Sequence, residues 1–323
     1  MKIKSCGAIV FLLAAACAAP ARAEIPRETQ NAALRYWLAF AEMKDPPADK
    51  AIQELLEKTV TGESPWDEKK LGAILDANGE AIRIMQRATK LPDCDWGLEY
   101  GEGPRASIAY APRARVLARL NTLEGMREMA NGNSGAAVET WLAGIRFSRH
   151  LANGGPLVFA LIARSMLLPN FYALSVEIKR GHLSDVQKRQ ISSVLKEMPE
   201  DCFNWATAWG LEASAGAQFL RELEISKNPA KNYESLAGFP LPKGAKPPSA
   251  EDIRGYSEYT SAVRNALSLP PTGAKIKLAA LEAQRRGLSE IAQNTIPNPL
   301  KINDARAEVF GARKELLEGL SAK

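Results

Sequence analysis

The chain has 323 residues, with 42 Lys and Arg against 37 Asp and Glu, 46% hydrophobic residues, two histidines and four cysteines. That length can bury a full core without cross-links, and the evenly mixed charge offers neither the basic stripe of a nucleic-acid partner nor a polybasic membrane patch. Two histidines without His-x-x-x-His spacing, and no Gly-x-Ser-x-Gly elbow, leave no complete metal or nucleophile motif, so no metal and no cofactor are expected.

Residues 1–23 read as a secretory signal. Lys2 and Lys4 form the charged start, an apolar run extends from Gly7 to Ala19, and Ala21-Arg22-Ala23 makes a small-x-small cleavage site. The run is short of the ~20 residues that span a bilayer, so no transmembrane segment is expected in the mature chain. The expected destination is the periplasm or the exterior after cleavage before Glu24. Cys17, following Leu13-Ala14-Ala15-Ala16, forms a loose lipoprotein box with the leucine one position too far away.

Loss of the leader removes Cys6 and Cys17 and brings the charge close to balance, leaving Cys94 and Cys202. In an oxidising compartment the pair is expected to form a disulfide. Closing a loop of about 107 residues, it would contribute on the order of 4 to 5 kcal/mol.

Ala, Leu, Glu, Lys and Arg dominate the rest, and period-2 alternation of β-branched residues is almost absent, which predicts an all-α fold of antiparallel helical hairpins. A first helix over 29–43 places Leu34, Trp37, Leu38 and Ala41 on one stripe and ends at Asp45-Pro46-Pro47. Helices over 48–59 and 65–89 follow, the second carrying Leu71, Ile74, Leu75, Ile82 and Met85 at three-to-four spacing. Residues 90–112, rich in Pro, Gly and acids, form an irregular stretch.

Helices resume over 113–130, 134–151, 156–180, 184–198 and 201–227. Ser184-Asp185-Val186-Gln187 supplies a capping box. The apolar segment 156–178 contains Arg164, Pro169 and Asn170, which reads as a central buried helix kinked near the proline. Residues 228–252, with Lys246-Pro247-Pro248, read as a Pro/Lys-rich linker or surface loop. Helices return over 251–268, 273–294 and 302–321. The expected organisation is a main helical domain over 24–227, that linker, and C-terminal helices over 253–323 packing back on the main domain.

Gly125, Gly132, Ala137, Trp141 and Gly144 supply small residues, a turn glycine and an aromatic at hairpin spacing, and the run Gly132-Asn133-Ser134-Gly135-Ala136-Ala137-Val138-Glu139-Thr140-Trp141 carries the match. This hairpin resembles a tetratricopeptide repeat, although no second copy appears at the repeat length. The resemblance implies a tetratricopeptide-like array; an irregular bundle of helix pairs is the other reading. The segments Asn31-Ala32-Ala33-Leu34-Arg35-Tyr36-Trp37, Cys94-Asp95-Trp96-Gly97, Phe147-Ser148-Arg149-His150 and Trp209-Gly210-Leu211-Glu212 together resemble a group of uncharacterised exported bacterial helical proteins. That resemblance implies a shared fold and secretion and carries no activity.

Asp93, Asp95, Glu99 and Glu102 crowd one loop with Cys94, Trp96 and Tyr100, a composition suited to acid/base work or to a sugar or peptide against aromatic faces. Trp205, Trp209, Glu212 and Gly216 recur at four, three and four residues, setting a carboxylate on an aromatic helix face. If buried, Glu212 needs an arginine, Arg146 or Arg149, or a raised pKa. The candidate pocket is therefore Asp95, Trp96, Glu99, Trp209, Glu212, Arg146 and His150. The favoured function is an exported binding or scaffolding protein of the bacterial envelope, with protein, peptide or glycan as partner. The alternative is a hydrolase-like enzyme acting on an envelope polymer, which requires Asp95 or Glu99 within roughly 5 to 10 Å of Glu212. A third reading is a purely structural envelope protein.

Overall fold

The computed structural model describes residues 29–238, 240–241 and 244–321, so the expected leader lies outside the described residues. The described chain is all-α, without a strand. The first layer holds α1 (Ala32–Glu42), α2 (Lys50–Val60), α3 (Glu68–Asp76) and α4 (Gly79–Ala88). A 3₁₀ turn at Tyr100–Arg105 leads into α5 (Tyr110–Ala130), α6 (Ser134–Ala152), α7 (Leu157–Lys179) and α8 (Asp185–Lys196). Then come α9 (Trp205–Glu224), α10 (Pro229–Ala237), α11 (Ala250–Leu267), α12 (Pro271–Ala280), α13 (Glu282–Arg286), α14 (Glu290–Thr295) and α15 (Pro299–Ser321).

The centre is α6, packed between α5 and α7, with α5 also touching α7. Two glycines set the approach. A Cβ on Gly125 would stand 2.3 Å from Nε1 of Trp141, and one on Gly144 would stand 2.6 Å from Oδ1 of Asn170. Buried Trp141 lies over Gly125 and donates its Nε1–H to the Thr122 carbonyl at 3.2 Å. Gly125 and Gly144 are thus close-approach positions, where any side chain would push neighbouring helices apart. α7 alone among the described helices is long and apolar enough to cross a membrane; here it is packed against α5, α6, α9 and α15. Its buried Asn170 donates to the Met166 carbonyl at 2.8 Å and accepts from the Thr122 hydroxyl at 3.2 Å.

Around this centre, α1 packs on α4, α9 on α11, and α15 on α7, α8 and α12. Four local expectations are corrected. On α1 the buried face is Ala33, Tyr36, Ala39 and Phe40, whereas Leu34, Trp37 and Leu38 are exposed. The tyrosine and phenylalanine reach Phe147 and Trp96, and that aromatic contact selects the face. The helix expected over 65–89 is broken between α3 and α4. Buried Asn78 bonds the Ile74 carbonyl at 2.9 Å and the Lys44 N–H at 2.8 Å, drawing a separate segment onto the break.

The stretch expected as linker contains α10, begun by Pro229 behind the Asn228 cap and ended by Gly238 at φ 77°. Its Tyr233 is buried against Phe219 of α9, with ring centroids 5.7 Å apart. The helix expected over 273–294 is divided into α12, α13 and α14. Its second break falls before Ser289 at the start of α14, where the Gln293 side chain turns back onto the Leu288 carbonyl at 2.8 Å.

Candidate functional site: two clefts at the α6–α7 corner

The loop after α4 is fastened at its start to the N-terminus of α1. Asn31 donates Nδ2–H to the Asp95 carbonyl and accepts the Asp95 N–H on Oδ1, both at 2.9 Å, while Ala32 N–H bonds the Asp93 carbonyl at 2.7 Å. Asp95 Oδ1 accepts Gly97 N–H at 2.9 Å, a turn that Gly97 closes at φ 68°. The carboxylate of Asp95 is therefore occupied in shaping the loop, and Glu99 is exposed.

Between them Trp96 turns inward. Its ring stacks on Tyr110 at 4.4 Å and 3°, and its Nε1–H donates to the His150 carbonyl at 2.9 Å. Trp209 is also a core residue, buried and donating Nε1–H to the Thr260 carbonyl at 3.0 Å, which ties α9 to α11. Neither indole presents a face to a ligand.

Glu212, one turn beyond Trp209 on α9, opens into a cleft of about 420 Å³. The walls come from separate stretches: Leu98, Tyr100 and Ile108 from the loop, Val158 from α7, Phe219 from α9 and Tyr233 from α10. Burial pushes the Glu212 carboxyl above its usual range, opposed by a hydrogen bond from the Leu157 N–H at the start of α7. The Tyr256 hydroxyl covers Gly216, one turn on, at the point where a Cβ would stand 2.0 Å away. Burial, then the Glu212 charge, holds that phenol above its ordinary value.

The expected pairing of Glu212 with Arg146 or Arg149 is not present. Those arginines line a second cavity, of about 820 Å³, with Gly154 and Gly155, while Pro156 belongs to the Glu212 cleft. The corner between α6 and α7 therefore separates acid from base, and among the described residues Glu212 is the one carboxylate on its cleft wall. Asp95 and Glu99 are not part of that wall.

The second cavity is a polar groove between α6, the α8–α9 loop and Lys90, Leu91 and Pro92. His150 sits at its edge with Nδ1 2.7 Å from the Tyr36 hydroxyl. Burial, then the charges of Arg149 and Arg146, depress the imidazole to about 4. With the Tyr36 hydroxyl as donor, the neutral ring is the Nε2–H tautomer. Arg149 is held below its ordinary value, chiefly by burial, with Glu197 opposing and Arg146 adding to the shift.

Cys202 lines this groove and Cys94 does not; both are free thiols, so the expected disulfide is absent among the described residues. Cys202 occupies a left-handed backbone position, φ 68°, within the tight turn after Pro199, and its Sγ–H points at the Val309 carbonyl of α15 at 3.7 Å. Cys94 lies instead against the backbone of Ala33 on α1. Each sulfur is committed to a different neighbour. Burial pushes both thiols up to about 12, with Asp95 adding to the effect at Cys94 and Asp201 at Cys202, where Arg313 opposes it.

Sequence reasoning missed the apolar walls of the Glu212 cleft, which assemble from four distant segments and carry no local signature. It also missed the pairing of Arg146 with Arg149 as a groove face, although their spacing of three on one helix was a readable signal. No group of three or more metal-ligating side chains is assembled among the described residues. Comparison of the chain with protein-family models, with curated proteins and with solved structures finds no match.

Proposed function

We propose that this chain is an exported binding protein of the bacterial envelope, built from helical hairpins of tetratricopeptide-like character, and that a peptide or glycan segment seats in the Glu212 cleft. The observation that carries the reading is Glu212 itself, a partly buried carboxyl facing an apolar cavity with no ion-pair partner among the described residues. A carboxyl in such surroundings is costly to the fold, and a small, largely apolar cleft with a few placed polar groups has the form of a ligand site. Exposed Tyr100 supplies an aromatic face that a sugar ring or an apolar side chain would cover. Export rests on the leader pattern in residues 1–23.

The test is calorimetric titration of the mature chain with a panel of envelope-derived peptides and oligosaccharides, repeated on Glu212→Gln and on Ser214→Trp, which fills the cleft from its rim. A panel member that saturates the wild type and binds both variants at least about ten-fold more weakly supports the reading, since losing one buried hydrogen-bonding partner is worth that much. Binding unaffected by both substitutions, or a panel with no binder, refutes it. N-terminal sequencing of the chain from the periplasmic fraction checks export: a start at Glu24 is expected, and an intact Met1 in the cytoplasm overturns it.

A further inference from the structure

Several arginines are neutralised by carboxylates where they stand. Arg127 meets Glu68 and Asp76, Arg105 meets Glu222, Arg164 meets Glu308 and Arg306 meets Asp201. Arg146 and Arg149 are set apart by sharing one groove wall without a paired counter-charge among the described residues. They lie one helical turn apart on α6, both line the polar groove, and no carboxylate closes on either as an ion pair among the described residues. The one hydrogen bond between them and the protein is long, 3.4 Å from Arg149 Nη2 to the Glu197 carbonyl. Arg149 and His150 fall in the last turn of α6, where a cation offsets the helix dipole, but Arg146 lies before that turn and has no such role.

We propose that the Arg146–Arg149 face of the groove is a binding site for a small oxyanion, a phosphate or carboxylate group held between the two guanidiniums. Like charges one turn apart repel, and an anion between them converts that repulsion into charge-assisted hydrogen bonds for which the planar guanidinium is well shaped. Two neighbouring elements favour the same occupant. Asn204 and Thr207 place the N-terminus of α9, the positive end of a long helix, on the groove wall. His150, uncharged, offers an N–H that does not add to the positive charge when the site is empty.

The charged and titratable groups around His150 and the arginines are Tyr36, Lys90, Glu139, Glu197 and Cys202. Glu139 is bonded by Gln190 Nε2, whereas Glu197 stays outside ion-pair reach of Arg149 and opposes an incoming anion. This site is separate from the Glu212 cleft, and the inference does not depend on what that cleft binds.

The test is a proton NMR titration of the full mature chain with inorganic phosphate, sodium chloride being adjusted to hold ionic strength constant. It follows the imidazole signals of His150 and of His182, which is bonded to Glu177 outside the groove. A saturable shift at His150 without one at His182 is expected, together with an upward move of the His150 titration midpoint as the bound anion offsets the two arginines.

Arg146→Gln and Arg149→Gln should each weaken the fitted affinity about ten-fold, and Glu197→Gln should strengthen it. A parallel acetate titration separates the sources. Saturation by phosphate alone identifies a phosphate site, saturation by acetate alone a carboxylate site, and either supports the proposal. Shifts that are linear in anion concentration, equal at both histidines, or indifferent to the arginine substitutions overturn it. If neither arginine variant folds, Glu197→Gln decides: tighter binding supports the site and unchanged binding overturns it.

Discussion

Arg306 of α15 donates from Nε to Oδ2 of Asp201 at 2.6 Å, and its Nη2 reaches the Leu269 carbonyl at 2.6 Å. One guanidinium thus fastens the last helix to the α8–α9 loop and to the end of α11. The two side chains are only 5% and 17% exposed. Removing one partner of such a pair strands the other without its counter-charge, so Arg306→Met should lower unfolding free energy by about 3 kcal/mol. Urea denaturation should show a lower midpoint with an unchanged slope. An unchanged midpoint would show that the pair contributes nothing.

His150 gives the molecule a pH dependence of definite sign. Its folded pKa of about 4 lies below the ordinary 6.5, so between these values the unfolded chain takes up a proton that the folded chain refuses. Stability is therefore full above about pH 6.5 and is lost as pH falls toward 4, amounting to about 2 kcal/mol between about pH 7 and about pH 5. His150→Asn should lose less stability than the wild type over that interval in matched urea titrations. Parallel losses in the two proteins would contradict the assignment.

Glycine positions with opposite surroundings make a paired test. At Gly125 an added methyl would meet the buried Trp141 ring at 2.3 Å, whereas at Gly311, exposed on α15, it would meet nothing within 4 Å. Gly125→Ala should destabilise by about 2 kcal/mol through overpacking. Gly311→Ala should stabilise by about 0.5 to 1 kcal/mol through backbone entropy. Thermal melts of the two variants moving in the same direction would refute the packing account.

Cys202 is buried and Cys94 half-buried, and burial raises both thiols to about 12, so they stay protonated and react slowly in the folded chain. Mass spectrometry after brief iodoacetamide treatment should find neither Cys94 nor Cys202 labelled natively and both labelled in denaturant. A peptide joining Cys94 to Cys202, recovered from unreduced native protein, would overturn the free-thiol description.

What could be read from the chain divides by range. The helix expected over 134–151 appears as Ser134–Ala152, because the Asn131-Gly132-Asn133 turn and the local apolar pattern carry its limits. The break between α3 and α4 has a local mark in Asn78-Gly79, which the unbroken apolar spacing overrides, while the contact of Asn78 with Lys44 from another segment is not legible. α10 was concealed by proline, which marks both linkers and helix starts. At the site, spacing on α9 was enough to pick out Glu212 as a carboxylate on a buried aromatic face. Its surroundings were not legible, because Gly154, Gly155 and Pro156 place it and the arginines in different cavities. Residues distant in sequence set that partition, and no local pattern encodes it.

The inward turn of Trp96 also has an optical consequence. Its indole lies nearly parallel to Tyr110, which in turn stacks on Phe159 at 5.2 Å and 10°, and Tyr36 and Phe40 flank the column. Chromophores fixed at such spacing lend the folded chain a chiral absorption in the near ultraviolet that vanishes when tertiary packing loosens. Because the same indole pins the segment that forms one wall of the Glu212 cleft, circular dichroism in that region gives a label-free measure of whether the wall is seated.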